Sequence, residues 1–349
     1  MPDTRKLIIP LLCLYLASCA PDSGVPEMMD NYVVQVADAL ELNPELSEVS
    51  PVSQIPRRRE RFLEMPDLDM GMLDFLSLYG CELQYVVGER NSIMGRVMQP
   101  LNRLRYEAHF IRAAENCIPQ TDRESVKEDL QEAIESKSET LAIAVWNATW
   151  GVEEVERLFT LAQGYYPGKS DENPVAELAS GVMKLNRTVT GLLGGNTDEP
   201  LEYVGEVHQR WQAEHRAGQL MNSARLLVTR LDDATALLAR RVETDPLCPE
   251  DGASTATGAL GEAYSRAYAE GVQTYLQRVD QAKEALIEPL EKLAAQQEDT
   301  MPEAFREWYR QHLDTENTGS LWGQLDRATE THALRWQQLL AQCGVSPDS

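Results

Sequence analysis

Two very long helical stripes constrain this chain more than any other feature. From Glu199 to Glu243, with no proline after Pro200, apolar residues recur at Val204, Val207, Trp211, Leu220, Leu227, Leu231 and Leu238. Apolar side chains three, four or seven apart lie on one helix face, so the stretch predicts a single helix roughly 60 Å long at ~1.5 Å per residue. A second stripe, from Gly258 to Gln297, carries Tyr264, Ala267, Tyr268, Tyr275, Val279, Leu286, Leu290 and Leu293 inward, and Pro289 is expected to kink it. No stretch sustains a period-two alternation with β-branched residues, so almost no sheet is expected. The fold class that follows is all-α. It is an elongated bundle of about eight to ten helices, with two long helices and two helical hairpins pinned by disulfides.

The N-terminal end follows another pattern. Arg5 and Lys6 precede an apolar run from Leu7 to Ala17, which closes on Leu16-Ala17-Ser18-Cys19. A charged start, a short apolar run and small residues at a cleavage point are the marks of a secretory signal. The run falls short of the ~20 apolar residues that span a bilayer. Leu-Ala-Ser-Cys resembles the bacterial lipobox, in which the Cys becomes the lipidated first residue of the mature protein. Residues 1–18 are then a signal peptide, 19–26 a short tether, and 27–349 a single all-helical periplasmic domain whose one candidate sub-boundary is near 194–199. Acyl chains on Cys19 would be the membrane attachment, each buried CH₂ adding ~0.8 kcal/mol. Ala20 stands where an Asp often retains lipoproteins in the inner membrane, so the expected address is the periplasmic face of the outer membrane.

A formal net charge of −24 excludes nucleic acid as a partner, because no basic stretch is long enough to neutralise a row of phosphates. It also opposes wide contact with anionic lipid. The local exception is Arg57-Arg58-Arg59-Glu60-Arg61, inside a proline-rich wrapped loop over 44–66. It reads as a solvated turn balancing nearby acids, with lipid headgroups as the functional alternative given the nearby anchor.

Secretion permits disulfides. Cys13 leaves with the signal and Cys19 takes the lipid, so Cys81, Cys117, Cys248 and Cys343 remain, with three pairings open. Periodicity gives one apolar stripe over 67–98 and a helix opening at Pro100 and running to about Asn116. If the two helices are antiparallel about residue 99, positions 81 and 117 lie level, and a Cys81–Cys117 bridge would pin the hairpin. After Met301-Pro302 two shorter helices run to Ala341, separated near Gly319. If they fold back on the 258–297 helix, position 343 reaches the 244–257 loop and Cys248 pairs with Cys343. The remaining helices are a first one over about 27–42, one opened by a Thr121–Glu124 capping box and running to about Trp146 or on to Gln163, and one from Asn173-Pro174 to about Leu193.

Candidate chemistry is sparse. Gly168-Lys169-Ser170 ends like a phosphate loop, but position 163 is Gln and no strand precedes it, so an interhelical turn is the better reading. His208 and His215 are seven apart, where helical metal pairs sit three or four apart, so packing histidines are expected and no metal or other cofactor is assigned. No Gly-x-Ser-x-Gly elbow occurs, and carboxylate pairs carry no information without a fold. The densest polar cluster is Glu89, Arg90, Asn91 and Arg96, facing Arg103, Arg105, Tyr106 and Glu107 on the returning helix. It reads as a paired network locking the hairpin, since buried charges must be paired. The functional alternative is the wall of a groove for an acidic or amide-rich partner.

Cys81-Glu82-Leu83-Gln84, then Glu89-Arg90-Asn91-Ser92 with Gly95-Arg96, then Leu104-Arg105-Tyr106-Glu107 ending at Cys117, resembles a family of proteobacterial lipoproteins catalogued only as a domain of unknown function. The Tyr32 helix and the Pro56-Arg57-Arg58 turn are similar too. The resemblance covers roughly 27–343, is most specific over 81–117 and weakens beyond about 120. It implies an envelope lipoprotein and brings no catalytic residues. The expectation is a lipid-anchored protein that binds or scaffolds another envelope component, most simply a protein. An envelope hydrolase with an unrecognised carboxylate site is the rival, and a heme or metal carrier using His208 and His215 a third option.

Overall fold

A computed structural model describes residues 24–66, 80–91, 97–169, 173–243, 248 and 255–344. The expected signal peptide, Cys19, Ala20, Ser92, Arg96 and the 67–79 part of the stripe over 67–98 lie outside them.

The described residues are helices and connecting turns, with no strand among them. α1 is Gly24–Ala39, α2 the single turn Arg58–Arg61, α3 Glu82–Asn91, α4 Pro100–Cys117, α5 Glu124–Thr149, α6 Glu154–Leu158 and α7 Ala176–Leu193. α8 is Val204–Ala213 and α9 is Arg216–Glu243. α10 (Thr255–Glu262), α11 (Thr274–Ala282) and α12 (Glu288–Ala295) follow, then α13 (Glu303–His312) and α14 (Leu321–Gln342).

The disulfides are Cys81–Cys117 and Cys248–Cys343, with Cα separations of 5.7 and 5.1 Å. The first is the covalent edge of a distinct sub-bundle. Leu83, Val86 and Val87 of α3 pack with Phe110, Ala113 and Ala114 of α4 and with Val126, Leu130 and Ala133 of α5 to close a small core of their own. The other ends of the same two helices belong to the main body. Leu104, Ala108 and Ile111 of α4, and Leu141, Val145 and Trp146 of α5, join the large core. α4 and α5 are therefore one antiparallel hairpin whose tip is an annex and whose base is part of the body.

The body is organised on aromatic rings. Phe305 lies between Trp146 and Trp150, with ring centres 5.1 and 4.9 Å away, and Phe159 meets Trp308 edge-on at 5.1 Å. α1 is fixed by a buried polar knot. The Tyr32 hydroxyl lies 2.5 Å from Nε2 of His332, Trp336 Nε1 donates to Tyr32 at 2.9 Å, and Thr235 Oγ1 lies 2.8 Å from Nδ1 of His332. Trp336 Nε1 also lies 3.0 Å from Nε2, so two donors converge on that nitrogen, and Nδ1 carries the ring proton and donates to Thr235. Burial lowers the His332 pKa to about 3, which keeps the ring neutral.

Four expectations need correction. The long 199–243 helix is two helices. Glu214 is extended (φ −116°, ψ 126°), α8 packs on α6 and α7, and α9 packs on α1 and α14. The stripe has a gap between Trp211 and Leu220, and the chain changes partners inside that gap. At the start of α9, Gly218 leaves room for the Thr160 carbonyl, which a Cβ would strike. Secondly, α1 begins at Gly24, so the end of the expected tether is helical; Pro26 is tolerated because a first helical turn lacks N–H partners anyway. Thirdly, Thr121 does not cap α5: the N-cap position is Arg123, where no side-chain cap bond forms, and Thr121 Oγ1 accepts from Arg123 N at 3.3 Å. Fourthly, the stretch after Trp146 ends at Thr149, and α6 and a 3₁₀ turn over Leu161–Gln163 follow as separate pieces.

The second long stripe does run from Thr255 to Ala295. Two π-helical stretches, Ala263–Gln273 and Lys283–Ile287, are set into it. The second ends two residues before Pro289. Widening the turn there accommodates a ring that cannot donate to the carbonyl behind it.

Candidate functional site

The loop before α2 and its continuation to Pro66 form a strap laid over the body. Arg61, fully buried, donates to the carbonyls of Pro56 (2.7 Å), Val152 (3.3 Å) and Trp150 and pairs with Glu156 at 3.0 Å. Trp146 Nε1 returns a bond to Arg61 O at 2.7 Å, and Asn147 holds both polar atoms of the Leu63 backbone, at 2.9 and 2.7 Å. Arg58 binds Gly151 O at 3.0 Å and lies over the Phe62 ring at 5.0 Å. The basic run is thus divided. Arg57 and Arg59 are exposed, whereas Arg61 is an internal clamp.

The strap places Phe62 and Met65 beside the first turn of α4. Together with Met98, Pro100 and Ala144 they line a largely apolar cup of about 130 Å³, to which Arg103 and Asn147, its amide held by the Leu63 backbone, also contribute. Pro100 is shared with a larger trough of about 590 Å³. The trough's second wall is the outer face of α8, where Gly205, His208, Gln209 and Gln212 recur at helical spacing. Gln99, Asn102, Glu153, Glu154 and Arg58 complete it.

Two features leave hydrogen-bonding capacity open in this trough. Gln99 caps α4 without a side-chain bond, and the N–H groups of Leu101 and Asn102, which line the trough, have no backbone acceptor. His208 is only 7% exposed, and its Nε2 donates to Ala148 O at 3.0 Å. The Nδ1 lone pair, on the other side of the ring, has no partner among the described residues. Burial pushes the His208 pKa down, so Nδ1 stays an acceptor at neutral pH.

Behind the cup lies part of the predicted polar cluster. Glu107 is fully buried, 2.5 Å from Arg103 Nε and 3.0 Å from Lys137 Nζ. The Lys137 ammonium also lies 5.6 and 5.5 Å from the ring centres of Tyr106 and Phe110. Burial lowers the Lys137 pKa and Glu107 opposes the shift; burial, then the Glu107 charge, push Tyr106 up to about 12. The positive charge of Arg90 is felt at both groups. Arg105 turns elsewhere, to Asn102 Oδ1 (3.1 Å) and Leu201 O (3.0 Å). Glu89 is on the exposed face of α3, Asn91 is its last residue, and Arg96 lies outside the described residues. Lys137 was missed by the sequence reading, yet it interrupts the buried stripe Leu130, Ala133, Leu141 at helical spacing, which is the signal for a buried charge.

Other candidates stay apart. His208 and His215 bind separate carbonyls, Ala148 and Arg157, and no group of three or more His, Cys, Asp or Glu able to hold a metal occurs among the described residues. Gly168-Lys169 lies in an irregular loop, and Ser170 is outside the described residues. No described helix is long and apolar enough to cross a membrane.

The family model described as protein of unknown function (DUF3080) matches residues 29–347, from α1 to beyond α14. The chain belongs to this family. No curated protein and no solved structure matches it. The match takes in the annex, the trough and both disulfides of this family member.

Proposed function

We propose that this family member is a lipid-anchored protein of the bacterial envelope. Acyl chains on Cys19 hold it to the periplasmic face of the outer membrane, and the trough between α4 and α8 docks a segment of another envelope protein. The observation that carries the docking role is the trough itself. Amide side chains, an open helix turn and an unpaired imidazole acceptor line one concave surface, the equipment for pairing with a polypeptide backbone. The lipobox-like Leu16–Cys19 supports the anchor. The rival hydrolase needs a carboxylate centre in a cleft. Burial pushes up the carboxyls of Asp232 and Glu291, and neither lines the trough or the cup.

A photo-crosslinking residue at Gln212, on the trough wall, tests the docking role in intact cells. The expected result is one discrete adduct that is absent when the same residue replaces Leu334, exposed on α14. Identical adduct patterns from both positions would remove the trough as a docking surface. For the anchor, Cys19→Ser is expected to release the protein from the membrane fraction.

A further inference from the structure

We infer that the groove takes the free C-terminus of a polypeptide ending in an apolar residue, the side chain in the cup and the carboxylate on Arg103 and the open first turn of α4. This rests on the docking role above and specifies its ligand.

The cup fixes the first requirement. About 130 Å³ walled by Phe62, Met65, Met98 and Pro100 is room for one apolar side chain; a dry cavity of ~150 Å³ accepts benzene. The second requirement is an anion. Around the buried carboxylate of Glu107 stand two cations, Arg103 and Lys137, so the site carries surplus positive charge in a chain of net −24. Arg103 spends Nε on Glu107, its guanidinium carbon lies 5.6 Å from the Tyr106 ring centre, and the residue also lines the cup. The next-door N–H groups of Leu101 and Asn102 sit at the positive end of an 18-residue helix. The trough's acids, Glu153 and Glu154, line its other part and not the cup.

The two requirements meet on one residue only at a chain end. In an extended peptide neighbouring side chains point to opposite faces, and same-face residues are ~7 Å apart. An internal Asp or Glu next to the cup-filling residue would therefore face away from Arg103. A terminal carboxylate hangs from the same Cα as the apolar side chain and reaches both. The preceding peptide groups then run along Gln99, Asn102, Gln209 and Gln212, and one N–H meets the waiting Nδ1 of His208, itself more than nine-tenths buried.

Full-length protein in mild detergent would be titrated with fluorescent decapeptides of randomised sequence ending in Phe, as free acids and as C-terminal amides, and with a pool ending in Asp. The expected order is free-acid Phe tightest, with the amide and the Asp pool each weaker by about ten-fold or more. Met98→Trp, which fills the cup from its rim, is expected to abolish the Phe preference. Arg103→Gln is expected to equalise acid and amide. Equal binding of acid and amide by the unaltered protein, or a Phe preference that survives Met98→Trp, overturns the inference. If no peptide binds while Gln212 still gives its discrete adduct, the C-terminal ligand is wrong and the docking role stands; if neither occurs, both fall.

Discussion

The annex core, closed by Leu83, Val86, Phe110 and Leu130, and the body core around Trp146, Trp150 and Phe305 are built on the same two helices, α4 and α5, by different means. The body buries large rings from many elements, among them Trp211, Trp322, Trp336, Tyr32 and Tyr275. Such a core stabilises itself through buried apolar area and ring contacts. The annex buries one aromatic ring, Phe110, and mostly small residues around it, and it carries its own disulfide. A small core that cannot outweigh the conformational entropy of its helices gains from a crosslink that limits the unfolded chain. Between the two, at the level where α4 and α5 pass from one core to the other, lies the Glu107–Lys137 pair. Burying it is a cost that a hydrophobic pair would avoid. What it supplies is placement: it holds Arg103 at the cup.

The largest expected effect breaks that junction. Lys137→Met leaves Glu107 buried beside Arg103 alone and is expected to cost ~3–5 kcal/mol by denaturant unfolding. Adding Glu107→Leu should recover most of the loss, because the stranded charge is gone. Next, Cys81→Ser with Cys117→Ser opens a crosslink over a sequence separation of 36 and is expected to cost the annex ~3 kcal/mol.

Acid separates the cores from the other side. The body buries His312 and His332, whose pKa values burial lowers from 6.5 to about 4 and about 3. The annex buries no histidine among its described residues; His109 there is partly exposed, 3.1 Å from Glu82. Above pH 6.5 these rings are neutral folded or unfolded, and their stabilising share is complete. As pH falls below 6.5 the unfolded chain takes protons that the buried rings refuse, until about pH 4 for His312 and 3 for His332. Each ring then removes up to ~1.4 kcal/mol per pH unit, a slope measurable as melting temperature between pH 7 and 5. His312→Asn should make the slope shallower and leave the share of His332. The smallest effect is Thr121→Ala. Its expected cap is not formed, so the loss should stay under ~0.5 kcal/mol in the same assay.

Much of this architecture was legible in the sequence, and the reasons are local. Helical spacing put the turn near residue 99 and so brought Cys81 level with Cys117, because a helix fixes the rise per residue. The break at Glu214 was not legible. It arises when α8 and α9 choose different partners, and only the apolar gap after Trp211 hinted at it. The π-helical stretch around Tyr264 and Tyr268 left no periodic trace. The polar cluster was half legible. Glu107 was in it, Arg105 faces elsewhere, and Lys137 hid in the polar run Glu135-Ser136-Lys137-Ser138. The groove was illegible because its walls come from the 58–65 strap, the start of α4, the turn after α5 and α8, segments that only tertiary packing brings together.

The division of one hairpin between two cores is best tested by amide hydrogen exchange, read peptide by peptide, with the Cys81–Cys117 bond intact and absent. Without it, residues 82–91 and 110–117 should exchange faster, while 100–107 and α9 keep their protection. Loss of protection across the groove and body together, or no change at the hairpin tip, would contradict a self-contained annex on a rigid base.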